Sequence, residues 1–407
     1  MKPPLSGLKV LDFGQGIAGP YCAQLLGDSG AHVIKVEPPR GDWSREMGKR
    51  GQNGLSAAFL SVNRNKEGIC LDLKSRRAVA VARELARRAD VVVESFRPGV
   101  MDRHGLGYQQ MQRENPQLIY ASITGFGDSG PNAALPAGDS TMQAYGGLMS
   151  IVGEPGLAPL RVGNVVSDMI AGTNAFSGVC LALAARAQDG QGRRVSTSLL
   201  DSMVAFQAAP LSEYLLTEEL PEPSGNQHPL ISPSGAFQTS DGHIVLTVLA
   251  HQWRHFCEQM HLGHLCEDPR FATSSARRAN RDSLNSEIAR LIQPYTSVQA
   301  LARLRAAGIL CAPINTYADL VDDPQVQHNR LIDSADGLAM IRNPVRLGDS
   351  TEEQVLYGPP PAIGEHTRDV LARELGWDTE AVDEFFRMET AEALGALRRN
   401  DGDIGLS

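Results

Sequence analysis

Along the first 125 residues, apolar and polar positions alternate in a way that predicts strands separated by helices. Leu8 to Phe13 (LKVLDF) and His32 to Glu37 (HVIKVE) are short β-prone runs, and residues 21–29 between them read as a helix, giving a βαβ unit. Ile69 to Leu73, Asp90 to Glu94 (DVVVE) and Leu118 to Thr124 (LIYASIT) are three further strands. From Ser75 to Arg88 the period becomes that of an amphipathic helix, with Val79, Ala82, Leu85 and Ala86 inward and the arginines outward. Strands alternating with helices predict an α/β fold with a doubly wound, Rossmann-like, mainly parallel sheet. Met169 to Gln188 then forms a long apolar helix with small residues, stopped by Gly190-Gln191-Gly192. Arg194 to Ser196 lead from it into a helix ending near Leu216.

Pro221 to Pro233, with four prolines, is the most linker-like stretch. A smaller α/β domain follows. It opens on Gly235 to Thr239, the Asp241-Gly242 turn and His243 to Val248, which read as a hairpin. Helices near 282–293 and 297–307, a strand from Ile309 to Ile314 and a return linker at Asp322-Asp323-Pro324 complete it. The expected organisation is residues 1–220 as the N-terminal part of a large domain, 225–325 as a small domain, and 326–407 as a segment rejoining the first. That last segment ends in an amphipathic helix near 379–398 and a flexible acidic tail.

Composition narrows the function. A chain of 407 residues is long enough for two substantial cores, and 42% hydrophobic with 21% charged residues is ordinary for a soluble protein. A net charge of −9 argues against a nucleic-acid partner but leaves room for a local basic pocket for a small polyphosphate. The start has no apolar signal core and no stretch approaches 18 uninterrupted apolar residues, so a cytoplasmic protein with no membrane partner is expected. Six cysteines lie scattered without a CxxC pair, as suits reduced thiols. His251, His255, Cys257, His261, His264 and Cys266 form a local cluster in which His251 and His255 share a helical face. Their spacing matches no standard structural zinc site, and we read a polar helix face with no metal.

Three stretches carry candidate chemistry. Gly14-Gln15-Gly16-Ile17-Ala18-Gly19 follows the first strand and satisfies the dinucleotide fingerprint GxGxxG. Glu37 falls where an acid would meet a ribose hydroxyl, so a nicotinamide-dependent oxidoreductase is one reading. Pro20 removes one N–H that a pyrophosphate would use. At strand carboxyl ends, Lys74, Phe96, Arg97 and Arg103 are candidate phosphate and ring contacts, against solvated surface charge for any one arginine. Ser167-Asp168 before the long apolar run reads locally as a helix cap.

The ordered series of motifs resembles the class III CoA-transferase family. It comprises Leu5 to Asp12, Ala18-Gly19-Pro20, Val33 to Pro38, Asn63 to Lys66, Leu71 to Lys74, Glu94 to Gly99, Ser122 to Gly127, Gly190-Gln191-Gly192, Ser198 to Asp201 and Gly225-Asn226. The match runs from about residue 5 to residue 350. The family includes formyl-CoA, carnitine and short-dicarboxylate CoA-transferases and α-methylacyl-CoA racemases. The resemblance implies a carboxylate nucleophile at Asp168, with mixed anhydride and aspartyl-CoA thioester intermediates. It implies CoA contacts at Ile17, Ala18, Leu71, Lys74, Phe96 and Arg103, and at Arg40 although that residue is displaced by Pro38-Pro39. Acyl-CoA is then a substrate, no cofactor is tightly bound, and the chain pairs with itself as an interlocked-ring dimer. Family racemases carry a histidine base where this chain has Gly138, which weighs against racemisation. Asp139 remains a candidate second carboxylate for orienting the acceptor acid, or a turn residue. Ile17 stands where formyl-CoA transferases have glutamine, and no glycine-rich loop of their kind is evident in the second domain. Short dicarboxylates with succinyl-CoA as donor are the preferred substrates.

Overall fold

The computed structural model describes residues 2–51, 54–335, 337–347 and 357–389. Six strands form one parallel sheet: β1 (Lys9–Asp12), β2 (His32–Glu37), β3 (Lys66–Cys70), β4 (Val91–Glu94), β5 (Ile119–Thr124) and β6 (Arg194–Ser198). Their order is β3-β2-β1-β4-β5-β6, so the strand order reverses between β1 and β4. Val91, Val92 and Val93 are wholly buried, because a parallel strand covered on both faces is apolar throughout. The mixed α/β fold expected from the alternation is thus present.

Two expectations shift. The third strand begins at Lys66 rather than Ile69, since Lys66 is buried and its ammonium is fully occupied by Asp12, the Pro20 carbonyl and Asn63. Arg194 to Ser198 is a sixth strand rather than a lead-in to a helix; its alternating half-exposure is that of an edge strand, a short polar pattern that local sequence does not separate from loop.

Helices cover both faces of the sheet. On one lie α1 (Ala18–Asp28) and the 24-residue α4 (Val166–Asp189), sharing a core with Val10, Val93 and Ala121. On the other lie α2 (Arg76–Arg87) and α7 (Thr367–Leu375), packed with Leu11, Val92 and Tyr120. Ser75 caps α2 by accepting from the Arg77 and Ala78 N–H groups. Gly190, at φ 71°, ends α4 in the left-handed conformation that favours glycine. The short helix α3 (Asp139–Tyr145) and α5 (Leu199–Phe206) pack against α4, and α6 (Ala208–Thr217) follows α5. α4 is long and apolar enough by composition to cross a membrane; here Ala171, Ala175, Val179 and Ala182 are buried in the sheet's core.

The chain divides into two compact units. The first comprises Met1–Leu148, Val162–Leu216 and Arg330–Ser407, and the second Met149–Arg161 and Thr217–Asn329. The second is built on the antiparallel sheet β7 (Ser234–Gln238), β8 (His243–Thr247) and β9 (Leu310–Pro313), with the expected hairpin joining β7 to β8. A separate hairpin pairs β10 (Ile332–Ala335) with β11 (Leu338–Ile341). The amphipathic helix expected at 379–398 is helical through residue 389, and the acidic tail lies outside the described residues.

Candidate functional site

Because the six strands are parallel, the segments following β1, β2, β3 and β4 gather along one edge of the sheet. In open α/β sheets a crevice forms there, where the strand order reverses. Gly14 to Ile17 follows β1, Pro38 to Arg40 follows β2, Leu71 to Lys74 follows β3 and Ser95 to Arg97 follows β4. The reversal between β1 and β4 is stitched by Ser95, whose Oγ accepts from the Gln15 N–H at 3.1 Å and donates to the Gln15 carbonyl.

The glycine turn is held in a manner that argues against the dinucleotide reading. The Gly14 N–H donates to Asp12 Oδ1 at 2.8 Å, and the Gly16 N–H donates to Asp42 Oδ1 at 2.9 Å. With Gln15 on Ser95, all three amides that a pyrophosphate would use are already taken. Lys35, wholly buried between strands, donates to the Gly14 carbonyl and to Asp42 Oδ2, each at 2.9 Å. Burial opposes the Lys35 charge, but the carboxylates of Asp12, Asp42 and Glu37 outweigh it and raise its pKa. Glu37, expected at a ribose, is instead buried and bound to Arg45 and the Asp42 N–H. Trp43 lies over Gly16 so closely that a Cβ there would stand 2.1 Å from its ring.

Of the expected CoA contacts, Ile17 and Ala18 are buried at the start of α1, and Phe96 is half-buried against the core. Lys74, Arg97, Arg103 and Arg40 are exposed. Leu71 departs from the rest: its side chain packs in the core beside Leu11 and Ile34, leaving only main chain to meet a ligand. On the same face as Tyr120, a cavity of about 220 Å³ is lined by Glu94, Arg97, Tyr108, Ser122, Asp128 and Arg194. Burial pushes the Glu94 carboxyl up to about 7, against a hydrogen bond from the Phe96 N–H.

Asp168 is the third residue of α4 and half-buried. It does not cap the helix. The capping position is Val165, which provides no side-chain bond, and the role passes to Asp139 at the start of α3. Asp139 Oδ1 accepts from the Ser167 N–H at 2.8 Å and from Ser167 Oγ at 2.9 Å, while Oδ2 accepts from Gln143 Nε2 at 2.7 Å. Asp139 is therefore neither a turn residue nor a free carboxylate. Among the described residues the Asp168 carboxylate has no hydrogen-bond partner, and burial, followed by the charge on Asp139, pushes its pKa up to about 7. On the face it shares with Gly172, α4 meets α1: a Cβ on Gly172 would stand 2.7 Å from the Ala18 carbonyl oxygen. The geometry thus offers one unpaired carboxylate in a helix first turn, on the face of α4 that meets the start of α1.

Gly138 has extended backbone, at φ −165°, and open space where a side chain would project. The fold does not demand glycine there, and this chain has no imidazole at that position. Among the described residues, no group of three or more His, Cys, Asp or Glu side chains could hold a metal ion, the His251 cluster included. Sequence reasoning missed the buried Lys35, Asp42 and Lys66 around the turn and Gln143 behind Asp139; a lone lysine inside the apolar β2 run was the visible signal.

Comparison with known proteins places the whole chain. The sequence model of CoA-transferase family III matches residues 5–367. The succinate–glutarate CoA-transferase of Agrobacterium fabrum is 35% identical over 91% of this chain and 96% of its own length. The acetyl-CoA:oxalate CoA-transferase of Acetobacter aceti is 36% identical over 88% and 93%, respectively. The crystal structure of a CAIB/BAIF family protein from Brucella suis superposes with a TM-score of 0.84 at 35% identity, covering 92% of this chain and 100% of that one.

Proposed function

Since the chain belongs to CoA-transferase family III, we propose that it moves CoA between carboxylic acids with Asp168 as the nucleophile, and that the acids are short dicarboxylates with succinyl-CoA as donor. The carrying observation is the unpaired, half-buried carboxylate in the first turn of α4. Relatives acting on succinate and glutarate support the substrate class. Racemisation is not favoured, because the relatives quoted are transferases and Gly138 supplies no second base.

An Asp168 oxygen attacks the thioester carbonyl carbon, the C–S bond breaks, and CoA leaves as thiolate with a mixed anhydride remaining. The thiolate attacks the Asp168 carbonyl carbon and releases the donor acid as carboxylate, giving an aspartyl-CoA thioester. The acceptor carboxylate then attacks that thioester, and the returning thiolate takes the new acyl group, restoring Asp168. One difficult exchange becomes several easier ones. First-turn N–H groups and the helix dipole favour charge on the oxygens that develop it. Lys74, Phe96, Arg97 and Arg103, gathered after β3 and β4, are suited to the phosphates and base of CoA, with Ile17 and Ala18 along its thiol arm.

A second copy of the chain is the further partner. α4, α5 and α6 expose Leu181, Phe206, Leu215 and Leu216, the last 85% exposed, apolar side chains that a second copy would cover.

The test is mass spectrometry after mixing with a panel of short acyl-CoAs and trapping with hydroxylamine or borohydride. Modification of the peptide containing Asp168, greatest with succinyl-CoA, is the expected result. An unmodified peptide together with α-proton exchange in heavy water would instead return the racemase reading.

A further inference from the structure

Gln143 is wholly buried on the seven-residue α3. A buried amide is tolerated only when its donors and acceptor are satisfied, and here they are spent on Asp139 of the same helix and on the stretch from Val162 to Asn164. Its Nε2 donates to Asp139 Oδ2 at 2.7 Å and to the Asn164 carbonyl at 3.0 Å, and its Oε1 accepts from the Val162 N–H at 2.9 Å. Asp139 continues the chain of contacts to the Ser167 N–H and hydroxyl. Gln143 therefore ties one end of the segment 162–167 to α3, and Asp139 ties the other.

That segment has little else to fix it. Gly163 and Asn164 are exposed, Gly163 has open space around its Cβ direction, and Val165 caps nothing. It is also where the chain returns from the second unit into the first, residues 149–161 belonging to the other body. Asp168 follows immediately, and its place is set by where α4 begins. A first turn that frays or starts one residue later would carry the carboxylate away from its position, and misplacement of about 1 Å is enough to slow a reaction by about a hundredfold.

We propose that Gln143 is a positioning residue for the nucleophile, acting with Asp139 as a polar clamp that fixes the backbone entering α4 and so places the Asp168 carboxylate. The inference rests on the assignment of Asp168 as nucleophile and adds to it a residue that touches no substrate. It also revises Asp139, whose oxygens are committed to the clamp rather than to the acceptor acid.

Two variants test it. Gln143→Leu keeps the approximate size and removes every polar tie; kcat for CoA exchange should fall about tenfold or more while KM for acyl-CoA stays within about twofold. Gln143→Glu keeps the acceptor for Val162 but loses both donors above its pKa, beside the charged group that faces it, Asp139 of α3, which in turn acts on Asp168 of α4. Its carboxyl regains a donor when protonated. Its kcat relative to the parent enzyme should therefore be lowest at pH 8 and recover several-fold below pH 6, and circular dichroism across that range separates this from unfolding driven by the buried charge. Circular dichroism and acyl-CoA binding measured alongside should match the parent. A parent-like kcat in both variants, a loss confined to KM, or a kcat ratio for Gln143→Glu that does not change with pH would each overturn the proposal. Asp168→Ala run in parallel separates the two assignments. If it is inactive while the Gln143 variants are normal, the clamp alone fails; if it retains full activity, the nucleophile assignment fails and takes the clamp's purpose with it.

Discussion

At Asp168, burial and the neighbouring charge of Asp139 set the sign of two pH dependences. In the proposed mechanism the attacking form is the carboxylate, and burial pushes its pKa up to about 7, so the rate of acyl transfer should rise with pH through about 7 and level off above it. The stability effect runs the other way. A carboxyl whose pKa is raised on folding binds more protons in the native than in the unfolded chain, so its contribution falls as pH rises from about 4, the unfolded carboxylate value, through about 7. Asp168→Asn removes the buried charge at nearly constant shape. It should be inactive in exchange and yet melt at a higher temperature than the parent at pH 8, with the gap closing by pH 5. Calorimetric scans across that range check it, and a gap that widened toward pH 5 would contradict the burial argument. Asp168 was legible as a residue because a carboxylate begins a long apolar helix within a recognisable series of motifs. That it does not cap the helix was not, because Asp139, which supplies the cap, lies 28 positions before the Ser167 N–H it accepts from.

Helix packing decides where that carboxylate stands. α1 and α4 cross at Gly172, where a methyl group would meet the Ala18 carbonyl oxygen at 2.7 Å and the Tyr21 ring at 3.0 Å. Gly172→Ala should therefore push the two helices apart and destabilise the protein by about 1–3 kcal/mol, the usual range for overpacking. Urea unfolding should show a lower midpoint at unchanged slope. Exchange activity should fall with it, because Asp168 lies one turn away on the same face. At this scale the alternation of strands and helices was readable as far as β5, since buried parallel strands are runs of valine and isoleucine. β6 was not, because its exposed polar alternation is set by lying at the sheet edge. The glycine turn was readable as a turn, and misleading as a dinucleotide site, because Asp12, Ser95 and Asp42 occupy its amides from three separate parts of the chain.

On the scale of the molecule, the large unit is assembled from three stretches of sequence, its last one returning through α7 to pack against the sheet. Its exposed leucines on α4 and α6 are the surface proposed for a second copy. Sedimentation should give about twice the 43.8 kDa of one chain. Leu181→Glu combined with Leu215→Glu, which buries two charges in any such interface, should shift the protein to one copy. A doubly substituted protein that stays at the parent's mass would place the contact elsewhere.

By itself the sequence determined the class of the fold and the family, and it singled out the carboxylate proposed as nucleophile. Each of these follows from local periodicity or from residue types at fixed spacing along the chain, and such information survives without coordinates. Tertiary structure alone decided that Leu71 turns into the core, that the Gly14 to Gly16 amides are spent internally, that Asp139 caps α4, and that Gln143 ties the approach to it. Those are contacts between residues brought together by the closing of the sheet and the crossing of α1, α3 and α4. Hydrogen bonds of about 3 Å between distant positions leave no period in the sequence from which they could be read.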